Sequence, residues 1–207
     1  MFQFLRKGLQ QLLPTASNLF RWKKAENPTC TLCMNKPQSN AHVFSNCSAP
    51  KALERYTLRH NAILSIIANW ISSAKSENQK LFADLSQTTC GEIRDVFQTC
   101  LRPDLVLFDD RLLVLELSVC HETNLLKTRS YKQSKYVNIS DHLTSEFSNY
   151  DVKLFTIEVS VFGFISEIND FCFDTKLPVL PNNIKIEISE AAINNSYSIY
   201  RLRNCRD

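Results

Sequence analysis

Residues 102–120 read RPDLVLFDDRLLVLELSVC, and this stretch decides the fold. Residues 104–108 and 112–120 are apolar runs rich in Leu and Val. They flank Asp109-Asp110-Arg111, so they are expected to be two strands around a turn. The second run is apolar at nearly every position, the pattern of a strand buried on both faces. Glu116 interrupts it, and a carboxylate there is costly unless a charge or a donor meets it. A strand end reaching solvent, or a salt bridge to an arginine, would meet that need; so would a metal ion. A two-residue turn at Asp109-Asp110 would set Asp104 against Leu115 and send Glu116 to the other face. A three-residue loop of Asp109, Asp110 and Arg111 would instead set Asp104 directly across from Glu116. Paired carboxylates in an apolar site repel each other, and Mg²⁺ between them removes that cost with the hard oxygen ligands it prefers. The expectation is therefore a three-residue loop and a Mg²⁺ site at Asp104 and Glu116.

Outward from this hairpin, Leu125, Arg129, Lys132, Tyr136, Ile139, Leu143 and Phe147 recur at spacings of three and four within 124–148. This is the buried stripe of a long amphipathic helix. Lys132 lies in the middle of the stripe, where a lysine either snorkels out or meets an anion. Packed beside the Glu116 strand it can reach the carboxylates; Lys135, one turn on, is the second candidate. Lys127 and Arg129 add charge for a DNA backbone. A helix over 55–74 follows from Ile63, Ile66, Ile67, Trp70 and Ile71, and a strand over 152–161 from its β-branched and aromatic residues. Over 183–202 the signal is mixed, because Ile184, Ile186 and Ile188 alternate like a strand and the remainder reads as helix. Helix, hairpin, helix and strand in that order give a three-layer α/β domain over 51–207.

Ahead of this domain, residues 29–50 carry Cys30, Cys33, His42 and Cys47 in the spacing C-x2-C-x8-H-x4-C between Pro28 and Pro50. Three thiolates and an imidazole form a closed structural Zn²⁺ set, and a segment this short needs such a staple. The alternative is three free thiols and a surface histidine. Residues 1–28 hold a short amphipathic helix ending at Pro14 and resemble the tail of something larger. The 207 residues carry a net charge of +3 and only 3 glycines, which leaves no Gly-rich phosphate loop. No apolar run reaches the roughly 18 residues of a membrane span, and no secretory h-region is present. The eight cysteines are therefore expected to be reduced. Cys90, Cys100, Cys120 and Cys172 read as small buried side chains, Trp22 and Trp70 as packing, and His121 and Glu122 as solvated loop residues.

Leu13-Pro14-Thr15, Asn18, Arg21-Trp22, the Cys/His cluster, Arg59-His60-Asn61, Arg102-Pro103-Asp104, Glu116, and Lys132 followed by Lys135-Tyr136 occur in this order. The set resembles the C-terminal region of site-specific non-LTR retrotransposon polyproteins, the type inserting into ribosomal RNA genes, from about Leu13 to Arg203. In that family a reverse transcriptase is followed by a zinc knuckle and a restriction-enzyme-like endonuclease. The resemblance implies a PD-(D/E)xK mixed sheet flanked by helices, with Asp104 and Glu116 as the Mg²⁺-binding acids. The plain motif has its lysine two residues after the acid, where Ser118 stands; Lys132 in the following helix matches the place used by this branch. The implied activity is nicking of chromosomal DNA in the nucleus, priming reverse transcription of an element RNA. Arg59, His60 and Arg102, with Lys127 and Arg129, are the expected nucleic-acid contacts. The chain has no room for a polymerase, and Asp109-Asp110 directly after Phe108 does not match an aromatic-x-Asp-Asp palm, so it is not expected to copy RNA by itself. The competing reading is a DNA- or RNA-binding module with a vestigial acidic pair.

Overall fold

The computed structural model of the chain describes residues 1–85, 90–93, 102–132, 134–135 and 147–205. Two short helices, α1 (Phe2–Leu9) and α2 (Ala16–Arg21), precede a π-helical turn at His42–Asn46 and the long helix α3 (Pro50–Ala74). Strands β1 (Lys80–Ala83), β2 (Gly91–Glu92), β3 (Leu105–Phe108) and β4 (Arg111–Cys120) follow. After a 3-10 turn at Glu122–Asn124, residues 125–132 and 134–135 are helical (α4). Strand β5 (Asp151–Ser160) and helices α5 (Asn169–Thr175) and α6 (Asn182–Arg201) complete the order. Among the described residues no helix is long and apolar enough to cross a membrane.

The strands form one mixed sheet in the order β2-β1-β3-β4-β5. β3 and β4 are antiparallel, while β5 runs parallel to β4 over its full length, the connection passing through α4. β4 therefore lies inside the sheet, between β3 and β5, and its side chains divide by parity. Leu113, Leu115 and Leu117 join Ile63, Ile67, Ile71 and Trp70 of α3 and Ile188 and Ala192 of α6 in the main core. Leu112 and Val114 pack on the opposite face with Ile93 and Val106. Glu116 shares the parity of Leu112 and Val114, so it lies on the second face, over which α4 passes.

Helix α3 begins earlier than the sequence pattern placed it. Pro50 pre-sets the backbone of the first turn. The first turns carry Ala52, Tyr56 and Arg59, which face the cysteine cluster instead of the sheet and so add no apolar period. Over 182–201 the alternation of Ile184, Ile186 and Ile188 is overruled by helix: Ile188 is fully buried, and Ile186 is 58% exposed. Of the 124–148 helix, residues 147–149 form a turn, and Tyr136, Ile139 and Leu143 lie outside the described residues. Phe147 packs beside the second-face cluster.

The first residues of the chain are built into the same body. Phe4 sits edge-on to Phe44, Phe162 and Tyr197, at centroid separations of 6.0, 5.8 and 5.1 Å. Gly8 lets α1 lie flat on Phe162, because a Cβ there would meet the ring at 2.5 Å.

Candidate functional site

Cys30, Cys33, His42 and Cys47 converge, with their ligand atoms all within 4.8 Å of one another. Cys30 Sγ and Cys47 Sγ are 3.9 Å apart, and Cys33 Sγ lies 3.4 Å from His42 Nε2. A tetrahedral Zn²⁺ with Zn–S near ~2.3 Å has an S–S edge of about 3.8 Å, which the Cys30–Cys47 separation matches. The chain achieves this with a cysteine turn closed by Met34 N–H on the Cys30 carbonyl and a π turn that swings His42 inward. Burial first, and then the neighbouring Cys30 and Cys33 sulfurs, push the Cys47 thiol up to about 12. Gathering these groups as thiolates therefore calls for a cation, and the residues fit structural Zn²⁺ with no coordination position left over.

The second constellation lies where β3 enters the sheet. Phe108 pairs with Leu112, leaving Asp109, Asp110 and Arg111 as a three-residue loop. Its closure is Arg111 N–H on Asp109 Oδ1 at 2.8 Å. Extending that register past Leu105–Leu115 sets Asp104 opposite Glu116. The two are linked through the backbone: Asp104 N–H donates to Glu116 Oε1 at 3.2 Å, and Leu117 N–H donates to Asp104 Oδ2 at 2.8 Å. Lys132 descends from α4 to place Nζ 2.8 Å from Glu116 Oε2, a carboxylate only 1% exposed. From α3, His60 Nε2 lies 3.3 Å from Asp104 Oδ1. Burial alone would raise the Asp104 carboxyl; the hydrogen bond and charge of His60, then the charge of Lys132, hold it below the ordinary value. Burial likewise pulls the His60 imidazole down, but Asp104 outweighs it and the net shift is upward. Two acids thus meet a lysine and a histidine from opposite layers.

The structure brings Asp104, Glu116, Lys132 and His60 together. Lys135 and Lys127 are exposed on α4, and Arg102 is exposed just before Asp104. Arg59 requires a correction. It is 1% exposed, with Nη1 on Ser196 Oγ and Nη2 on the Phe44 carbonyl, so it ties α3 to α6 and the zinc turn and cannot meet a nucleic acid. Arg129 is also engaged: Nε and Nη2 both donate to Glu158 Oε2 on β5, at 2.9 and 2.6 Å. Glu158, 2% exposed, is a further buried acid, and its place between Ile157 and Val159 carries the same sequence signal as Glu116. His121 and Glu122 are not solvated loop residues. His121 is 1% exposed with Nε2 facing Gln11 Nε2 at 3.2 Å, and Glu122 Oε1 accepts Phe162 N–H.

The Arg129–Glu158 pair has a pH signature. Burial raises the Glu158 carboxyl, but Arg129 and nearby hydroxyls more than reverse this, so its folded value is depressed. A depressed carboxyl contributes stability fully above its unfolded value of about 4.3 and loses it as pH falls through the folded value. Arg129→Ala is therefore expected to be less stable than the parent at pH 7, with the gap closing in acid below about pH 4. Urea melts across that range test this; a gap of equal size at both ends would rule out the coupling.

With both sites in place, comparison with known proteins bears on the first of them. Residues 1–53 match the family described as zinc-binding in reverse transcriptase, which spans the whole Cys/His set and about a quarter of the chain. The N-terminal part is thus similar to a zinc-binding domain of reverse-transcriptase-type proteins, in agreement with the Cys3His geometry. No curated protein matches the chain.

Proposed function

We propose that this chain is the endonuclease portion of a retrotransposon-type reverse transcriptase polyprotein, a metal-dependent phosphodiester hydrolase of PD-(D/E)xK type. The observation that carries the reading is the Asp104–Glu116 rung with Lys132 Nζ at 2.8 Å, set behind a zinc module similar to those of reverse transcriptases. A divalent cation held by Asp104 and Glu116 would supply an activated water and charge stabilisation at the phosphate. Mg²⁺ commonly binds through one or two carboxylates and keeps its remaining waters, so two acids suffice. Lys132, drawn to Glu116 in this state, is placed to turn to a scissile phosphate as charge develops there. Arg102, Lys127 and Lys135 are exposed and suit a DNA backbone. On this reading the substrate is chromosomal DNA in the nucleus, and the nick primes copying of an element RNA.

A second reading has an observation of its own. Every oxygen of Asp104 and Glu116 already has a protein partner, with Lys132 Nζ against Glu116 and His60 Nε2 against Asp104. That favours a nucleic-acid-binding module whose acidic pair is structural. Nicking of supercoiled plasmid with and without Mg²⁺ separates the two. The nuclease reading expects Mg²⁺-dependent nicking in the parent and none in Asp104→Ala. A parent that binds DNA with a steep salt dependence but never cuts, under any divalent metal, leaves the binding module standing.

A further inference from the structure

Helix α3 touches both candidate sites with one face. Tyr56, Arg59 and His60 stand at positions i, i+3 and i+4, so their side chains lie together. The Tyr56 hydroxyl donates to the Val43 carbonyl at 2.8 Å, lies 3.1 Å from the His42 carbonyl and accepts Cys47 N–H at 3.3 Å. Burial pushes this phenol up, so it stays a donor at neutral pH. It thereby grips the backbone between two zinc ligands. Arg59 takes the next carbonyl of the same turn, Phe44 O, at 2.9 Å, with its guanidinium 5.5 Å from the Tyr56 ring. His60, one residue on, faces Asp104 Oδ1 at 3.3 Å. A cleft lined by Ser45, Tyr56, Thr57, Arg59, His60 and Val119 runs from the zinc turn to β4 along this row.

We infer that α3 transmits the state of the zinc module to the acidic cluster, with Tyr56 and Arg59 as positioning residues that set His60 against Asp104. The turn at 42–47 is anchored at its middle by Val43 and Phe44 but carries the ligands His42 and Cys47 at its two ends, so the conformation of those ends follows the metal. The later turns of α3 are fixed in the core by Ile63, Leu64 and Ile67, so a turn at 42–47 that lets go of Tyr56 and Arg59 loosens only the first turns of the helix and their side chains, and with them the placement of His60. The inference stands on the His60–Asp104 contact whatever chemistry the cluster performs; only its effect on cleavage rests on the nuclease reading.

The test is the ¹³Cε1 resonance of His60 in full-length chain labelled at histidine, assigned with His60→Gln and recorded at one pH. Three samples are compared with the zinc-loaded parent: the parent stripped by chelator, Tyr56→Phe with zinc content measured at one per chain, and Thr57→Ala. Thr57 neighbours Tyr56, but among the described residues its hydroxyl bonds the Leu53 carbonyl one turn back, so it controls for local disturbance. The His60 resonance is expected to move in the stripped parent and in zinc-bound Tyr56→Phe, in the same direction, and to stay in Thr57→Ala. An unmoved resonance in either of the first two, or an equal displacement in Thr57→Ala, overturns the inference. Under the nuclease reading Tyr56→Phe also slows nicking about fivefold, the worth of one neutral hydrogen bond. If the parent never nicks, that reading fails while the resonance test remains decisive.

Discussion

Exchanging Cys47 for serine is expected to release zinc and unfold the chain around residues 29–49, with a loss of several kcal/mol in overall stability. Apart from Val43 and Phe44, the apolar support of this segment is slight: buried Cys30, Cys47, Ala49 and Ala52, with Leu32, Cys33 and Tyr56 partly buried beside them. Ligand atoms that are themselves half of a core cannot hold it without their metal. Binding free energies of about 10–16 kcal/mol for structural Zn²⁺ are in such segments folding free energy. The loss does not stop at the module. Val43 and Phe44, which follow the ligand His42, belong to the aromatic cluster with Phe4, Val161, Phe162 and Ile199. Phe44 is fully buried there, so a displaced turn opens a cavity on α6 and the end of β5. Because the ligands must be deprotonated, zinc is held at neutral pH and released as pH falls. Metal content by mass spectrometry and thermal melts with and without chelator check this. A chelated parent that melts at the temperature of the loaded one would remove zinc from the account of stability.

Replacing Lys132 with methionine is expected to be the most costly change at the acidic cluster. Glu116 is 1% exposed and has Lys132 Nζ against Oε2. Deleting one partner of a buried ion pair leaves an uncompensated charge and costs about 3–5 kcal/mol. Glu116→Gln should cost less, because Lys132 is 22% exposed and its long stem can carry the ammonium to water. The two substitutions also separate the functional readings. With Lys132 gone, Glu116 and Asp104 form an anionic pair on one rung. If these acids take Mg²⁺, saturating the ion stabilises Lys132→Met by about 2–3 kcal/mol at a hundred times its dissociation constant. The parent, whose carboxylate already has its cation, gains less. Equal melting temperatures for Lys132→Met in Mg²⁺ and in chelator would take the divalent ion out of the proposed mechanism.

What could be read from the sequence was local. The Cys/His set follows from spacing alone, and the Asp104–Glu116 rung from counting a loop: with Asp109, Asp110 and Arg111 as the turn, strand pairing does the rest. Lys132 stood out because a lysine on an apolar stripe needs a reason. The readings that failed depend on partners far along the chain. Arg59 lies in a helical start that looks solvent-facing until α6 brings Ser196 and the zinc turn brings Phe44. His121 looks like a loop residue until Gln11, 110 positions earlier, folds over it. The Arg129–Glu158 pair needs the parallel register of β5 on β4, which no local period encodes. The alternating isoleucines of α6 misled because three residues are too few to tell a period of two from one face of a helix.

The zinc module is fastened to the far end of the chain. Asn204 Oδ1 accepts from Gln38 Nε2 at 2.9 Å and from Thr31 Oγ1 at 3.1 Å. Arg203 reaches the Pro14 carbonyl, and Arg55 holds the carbonyls of Leu202 and Cys205. During synthesis these partners leave the ribosome long after the cysteines do. The first fifty residues can take up metal early, yet their outer wall is complete only when α6 has emerged and packed. Folding of this protein therefore closes as a ring, with late non-local contacts sealing the part made first. Until that closure the aromatic side chains of α1 and the zinc turn remain open to whatever holds a nascent chain.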